Sequence, residues 1–245
     1  MKITKLVILF NYKKILLGIV VSLFLFFLSF QLNSAVFAVL LRALGVLIVL
    51  NIIASLVASY ILYDTSDLYE LNDLKQDIDW SQIKNAVLIH ASFDPLSQRL
   101  EEKYPHLNLI VCDIYGNRHE DESGIEVSKK IFPPNPRETK ISPDQLPFED
   151  ESQDVILAVT ALHEILDHEK RVLFFKEAQR ILKKGGVIII SEQFRDITNF
   201  IFFNIGAFHF LSWKQWTSSI SPSGLKIIKN KKITPFANML IIENN

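Results

Sequence analysis

Apolar residues in this chain fall first into two long unbroken runs and then into short runs and stripes. Residues 15–32 are uncharged, apolar and about long enough to cross a bilayer; residues 43–62 form a second such run, with Gln31, Asn33 and Ser34 as the turn between them. Beyond residue 82 the runs shrink to strand length. Residues 86–89, 107–111, 154–159 and 187–190 are, Asn108 and Asp154 apart, apolar at consecutive positions, as in strands covered on both faces of a parallel sheet. Between the last two, Phe174, Ala178, Ile181 and Leu182 recur at helical spacing, while Lys176, Glu177, Gln179 and Arg180 fall on the other side. An amphipathic helix is predicted there, with Lys183 and Lys184 in its last turn and Gly185-Gly186 as a left-handed cap. Residues 96–104 and 120–132 read as further helices, the second stopped by Pro133, Pro134 and Pro136, and residues 225–228 and 239–242 read as a terminal strand pair.

Strands alternating with helices imply an α/β fold, because a strand-helix-strand unit of this length closes right-handed with its strands parallel. Ligands of such sheets bind beyond the strands' carboxyl ends. Here those ends are Thr160-Ala161-Leu162-His163-Glu164 and Ser191-Glu192. Three parts follow: a transmembrane helical hairpin (residues 1–63), an acidic linker (64–82) and an α/β body (83–245). In the linker, Leu68, Leu71, Leu74 and Ile78 make a thin stripe at helical spacing behind capping residues Asp64 to Asp67, so a short helix packed on the body is expected.

Charge sharpens this division. No acid precedes Asp64, so the net charge of −1 hides a head of +5 and a body of −6. Lys2, Lys5, Lys13 and Lys14 hold the start of the chain in the cytoplasm by the positive-inside rule, and two crossings return the body there. Arg42 can snorkel to an interface. A cleaved signal peptide is the rival reading, but the first run is longer than a usual signal core. An acidic body with only Lys229, Lys231 and Lys232 clustered excludes a nucleic-acid module. One cysteine, Cys112, excludes an internal disulfide and reads as buried filler.

The block Leu146-Pro147-Phe148-Glu149-Asp150-Glu151-Ser152-Gln153-Asp154-Val155-Ile156-Leu157, then Ala161-Leu162-His163, then Glu177-Ala178-Gln179-Arg180-Ile181-Leu182-Lys183-Lys184-Gly185-Gly186 resembles the centre of class I S-adenosylmethionine-dependent methyltransferases, type 11-like. The resemblance is strong in this block and looser from about residue 83 to the end. It implies a Rossmann-like, doubly wound, mostly parallel seven-stranded sheet after the membrane hairpin, with S-adenosylmethionine as cofactor. It also implies roles. Asp113, ending the second strand, matches the acid that binds the cofactor ribose. His90, Ala91 and Ser92 occupy the place of the family's glycine-rich loop, here without glycine, so either the loop or the cofactor's pose must differ. Ser142 stands where the family has the acid that contacts adenine, and Leu146 and Thr160 complete the expected cofactor set.

For chemistry, His163 and Glu192 overlook the crevice from adjacent strand ends and are the candidate catalytic residues, His163 also being readable as a mere cap of the next turn. His163 and His168 suggest a zinc helix, but that motif needs histidines four apart and these are five apart, so no metal is expected. Arg195, Asp196 and Asn199 read as a solvated helix start. The aromatic stretch from Phe200 to Phe210, which contains His209, is either a core helix or an apolar lid over a greasy acceptor. These readings together predict a membrane-anchored methyltransferase acting on a small, apolar, bilayer-associated acceptor. The alternative is a non-catalytic membrane-tethered binding or scaffold protein that retains the fold.

Overall fold

The computed structural model describes residues 3–69, 72, 77–115 and 128–244, and the chain divides into two compact units, residues 1–65 and 66–245. In the first unit α1 (Ile3–Ser29) and α2 (Ala35–Tyr60) form a hairpin, α2 running on through a π-helical turn at Ile61–Thr65. Both helices are long and apolar enough to cross a membrane. They extend further towards the N-terminus than the hydropathy runs, because a helix tolerates Asn11, Lys13 and Lys14 at its end where an apolar window does not. Gly45 lets the helices touch: a Cβ there would lie 2.9 Å from the Phe26 ring, and the Gly45 carbonyl accepts from Ser22 Oγ at 2.9 Å. Asp64 does not cap a following helix, as its sequence neighbours suggest. Its carboxylate accepts instead from the amides of Ile3 (2.6 Å) and Thr4 (3.1 Å), satisfying orphan donors at the start of α1.

The second unit is built on a seven-stranded sheet of order β3-β2-β1-β4-β5-β7-β6. Its strands are β1 (Asn85–His90), β2 (Asn108–Asp113), β3 (Thr139–Lys140), β4 (Gln153–Val159), β5 (Leu182–Gln193), β6 (Lys226–Lys232) and β7 (Ala237–Glu243). The first five pair in parallel, while β7 runs antiparallel to both β5 and β6. This is the doubly wound, mostly parallel sheet that the run pattern and the resemblance predict. α3 (Ser97–Lys103) joins β1 to β2 and α4 (His168–Ile181) joins β4 to β5. The core lies where predicted: Val87, Ile89, Ile156, Ala158, Ile188 and Ile190 on the sheet pack with Phe174, Phe175, Ala178 and Ile181 of α4. Cys112 is free and buried in that core, which pushes its thiol up to about 12.

One local boundary needs correcting. α4 ends at Ile181, before Lys183, Lys184 and the glycines, because Leu182 is fully buried in extended conformation and already pairs with Gln153. Gly185, at φ +74°, sits within the long β5, beside the register shift opposite Gln153 and Val155. Lys183 therefore reaches Asp154 Oδ1 at 2.7 Å instead of facing a helix end. Leu71 and Leu74, from the stripe expected to form the linker helix, lie outside the described residues; the described residues 66–69 and 77–80 are turns and coil. The segment is nonetheless held to the body, through Asp77–Lys229 and through Trp80 stacked on Tyr104 at 4.8 Å. Of the helix expected over 120–132, residues 128–131 are helical and 120–127 lie outside the described residues. β3, at two residues, is too short to leave a hydropathy signal.

Candidate active site

The carboxyl ends of β4 and β5 bring His163 and Glu192 together. After β4 the chain turns through Thr160, at φ +49°, into a 3-10 turn at Leu162–Glu164. A β-branched residue in the left-handed region is strained by roughly 1–3 kcal/mol, a feature that clusters at functional sites. Glu192, 1% exposed, holds that turn: its Oε1 accepts from the amides of Ala161, Leu162 and His163 at 3.0, 3.0 and 3.3 Å. Its Oε2 lies 2.7 Å from His163 Nδ1. A carboxylate saturated with donors accepts from Nδ1–H and so leaves the ring's basic lone pair on Nε2. Beyond Nε2 stand Glu164, at 3.6 Å from its Oε1, and His209, whose Nε2 lies 3.2 Å from the same oxygen. His168 does not join them; it starts α4, with Nδ1 3.4 Å from Ser219 Oγ.

A second cluster forms at the ends of β1 and β2. Asp113 is buried and pairs in register with His90. Its Oδ1 accepts from the amides of Ser92 (3.0 Å) and Tyr115 (2.9 Å), which fixes the loop after β1. Ser92 adopts φ +58°, so the loop takes a left-handed turn without glycine. His90 is buried with Nε2 3.2 Å from Glu138 Oε2. The cleft bounded by His90, Ser92, Asp113, Phe132, Pro134 and Glu138 has a volume of about 10 Å³. Aromatic contacts run on from its wall: Phe132 meets Phe93 edge-on at 5.0 Å, Phe93 meets Tyr69 at 6.2 Å, and the Tyr69 hydroxyl lies 2.9 Å from Thr160 Oγ1. Tyr69 thus bridges the loops after β1 and β4.

The remaining sequence candidates separate. Ser142 follows β3 and is exposed, its hydroxyl hydrogen-bonded to Asp144, whose carboxyl this hydroxyl holds below the usual range. Leu146 is buried in the core, its amide donating to Glu177 Oε2 and its carbonyl accepting from Arg180 Nη2, both at 3.0 Å. It lies towards the amino end of β4, since Arg180 immediately precedes the residues that pair there. A cavity of about 490 Å³ is at that same end, lined by Leu146, Pro147, Phe148, Glu177 and Arg180. It is a trough beside the Glu177–Arg180–Asp150 ion pairs, away from the strained turns and the buried His–Glu pair, so the carboxyl ends remain the site.

The aromatic stretch is not a core helix. α5 (Ile197–Phe203) and a 3-10 turn (Asn204–His209) are anchored at their base by Asp196, which caps α5, and by buried Asn199, whose Nδ2 donates to the carbonyls of Phe194 and Phe236. Neither residue is merely solvated. Phe202 and Phe203 meet Phe236 edge-on, but Ile197, Ile201, Ile205 and Phe208 stand outward, Ile205 at 83% exposure.

Comparison with known proteins agrees with this fold. The methyltransferase-domain family matches residues 98–190. Among solved structures, a methyltransferase from Aquifex aeolicus superposes with a TM-score of 0.52 at 12% identity, over 73% of this chain and 92% of that one. One from Clostridium acetobutylicum gives 0.51 at 11% identity, over 73% and 91%. The body has the class I methyltransferase fold. The mitomycin 7-O-methyltransferase MmcR also superposes, at 0.51 and 14% identity over 73% of this chain. This chain spans about half the length of that structure (54%) and of PigF (53%). No curated protein matches it in sequence.

The cofactor that goes with this methyltransferase domain is S-adenosylmethionine, and the donor chemistry at β1 and β2 suits it. Asp113 has one oxygen committed to the loop and a second with lone pairs for ribose hydroxyls. Space is the difficulty, since ligand pockets usually run to about 300–1,000 Å³. Phe132 is the aromatic ring on the wall of the cleft beside Asp113. Sequence reading gave no site role to Tyr69, Phe132 or Glu138 and placed His209 only within the aromatic stretch; tertiary structure alone brings them to these strand ends.

Proposed function

We propose that this chain is a membrane-tethered, S-adenosylmethionine-dependent methyltransferase whose acceptor is lipophilic and carries a hydroxyl or acidic C–H. The observation that carries this reading is the buried Glu192 carboxylate 2.7 Å from His163 Nδ1, at the strand ends where such a sheet takes its ligands. The cofactor supplies an electrophilic methyl group on sulfur. With the cofactor bound, His163 Nε2 would take the acceptor's proton as the methyl group is transferred, and Glu192 would stabilise the imidazolium that results. Asp113 and the Ser92 turn hold the ribose side. The remaining work is positioning, which suits an in-line displacement.

Support for the acceptor class comes from the chain's head and rim. A two-helix hairpin of bilayer length, cationic before its first span and free of acids until Asp64, favours anchoring with the body in the cytoplasm. Tethering raises the body's effective concentration only towards molecules in the bilayer. The outward Ile197, Ile201, Ile205 and Phe208 give the site an apolar rim that such a molecule can cross. The test is to incubate the full chain in lipid nanodiscs with methyl-labelled cofactor and a total membrane lipid extract. Label is expected in the lipid phase with wild type and absent with His163→Ala. A version lacking residues 1–62 that methylates a water-soluble phenol as fast as the full chain methylates lipid would overturn the lipophilic assignment.

One observation favours the second reading, a scaffold that retains the fold: the 10 Å³ cleft beside Asp113. Absence of cofactor binding at millimolar concentration would establish it.

A further inference from the structure

We infer that His163, Glu164 and His209 form a binding site for a divalent transition-metal ion, zinc best of all. His209 lies in a different element from the other two, yet the three ligand atoms all fall within 4.8 Å of one another. Two of the edges are 3.2 Å (His209 Nε2 to Glu164 Oε1) and 3.6 Å (His163 Nε2 to Glu164 Oε1). A tetrahedral zinc with bonds of about 2.0–2.1 Å holds its ligand atoms about 3.4 Å apart, so these edges already bracket the required separation. The third edge can close through His209, which is half exposed on a short 3-10 turn.

An independent feature points the same way. Metal-bound histidines donate their other ring N–H to a carboxylate or carbonyl, which fixes the tautomer and raises ligand basicity. His163 has this partner in Glu192, and Glu192 is itself immobilised by three backbone amides. Two imidazoles and one carboxylate suit zinc and its neighbours; magnesium and calcium want six or more oxygens. Three protein ligands leave a fourth position for water or a substrate oxygen. A metal on His163 Nε2 and a proton on the same atom exclude each other, so metal would inhibit methyl transfer. That consequence rests on the proposed function, whereas the site itself does not.

The test is titration of the detergent-solubilised full chain with cobalt(II), followed by its visible ligand-field bands, and then competition with zinc. One cobalt per chain is expected, with tetrahedral-type bands that zinc abolishes. His209→Ala and Glu164→Gln should each weaken binding at least tenfold, and Glu192→Gln by about 10–100-fold through His163. His168→Ala, which alters the neighbouring histidine outside the cluster, should leave binding unchanged. Circular dichroism confirms that each variant is folded, and His209, on the surface, is the variant least able to perturb the core. Absence of saturable binding, or equal binding by folded His209→Ala, would overturn the site without touching the methyltransferase reading, which cofactor titration tests separately.

Discussion

Glu192 holds His163 through one carboxylate oxygen, Oε2 to Nδ1 at 2.7 Å, and holds the turn that carries His163 through the other, Oε1 to three successive amides. The two functions can be separated by mutation. In Glu192→Gln the amide oxygen can still cap the turn, but its NH₂ must donate to Nδ1, which moves the ring proton to Nε2. Turnover is expected to fall about 10²–10⁴-fold, with cofactor affinity and melting temperature nearly unchanged. Glu192→Ala should also destabilise, by about 1–3 kcal/mol, as buried donors lose their acceptor. Steady-state kinetics alongside thermal unfolding decides it: a loss of turnover that tracks stability in both variants would mean that the pair is structural only.

The cofactor side makes a similar division. Asp113→Ala removes the acceptor for Ser92 and Tyr115 and any bond to ribose. Binding of S-adenosylmethionine should weaken by about 2–4 kcal/mol, more than tenfold. Unchanged affinity by calorimetry would make Asp113 a loop anchor alone.

The closed cleft gives a prediction of opposite sign. Phe132 lines the narrow cleft beside Asp113 and packs on Phe93. If opening requires this ring to leave, the open form is a minor population in wild type and apparent affinity is reduced by that fraction. Phe132→Ala should then bind the cofactor more tightly than wild type. Weaker binding would show that the ring contacts the cofactor.

Much of this fold was legible in the sequence, for physical reasons that particular residues illustrate. Strands such as β4 are buried on both faces, so their apolar runs are continuous and unmistakable, and α4 carries its stripe of Phe174, Ala178 and Ile181. Boundaries were harder. Gly185 looks like a helix cap, but burial of Leu182 pulls the chain into β5 three residues earlier, and the left-handed glycine serves the strand. The His163–Glu192 pair was legible because both residues end adjacent strands. His209 beside Glu164, and Tyr69 beside Thr160, depend on how irregular segments fold back, for which spacing carries no signal. The aromatic stretch was misleading in its own way: its apolar residues read as core, but Asn199 pins the base while the isoleucines point outward.

Asp154 supplies a pH test of the fold. Although burial works against it, Lys183 and the amides of Asn85 and Lys84 hold its carboxyl below the usual range. A depressed carboxylate stabilises the fold fully above its unfolded value, near pH 4, and that contribution disappears as pH falls through the folded value. Asp154→Asn should lower stability by about 1–3 kcal/mol at neutral pH and by less under acid conditions. Denaturant titrations at pH 7 and pH 3 measure this, and a difference that grows towards acid would contradict the assignment.

The most direct test of the central claim is calorimetric titration of the full chain, solubilised in detergent, with S-adenosylmethionine and separately with its demethylated product. Saturable one-to-one binding of both is predicted, weakened more than tenfold in Asp113→Ala and unchanged in Glu192→Gln. No heat of binding for either ligand at millimolar concentration would contradict the methyltransferase reading and leave a fold without its cofactor.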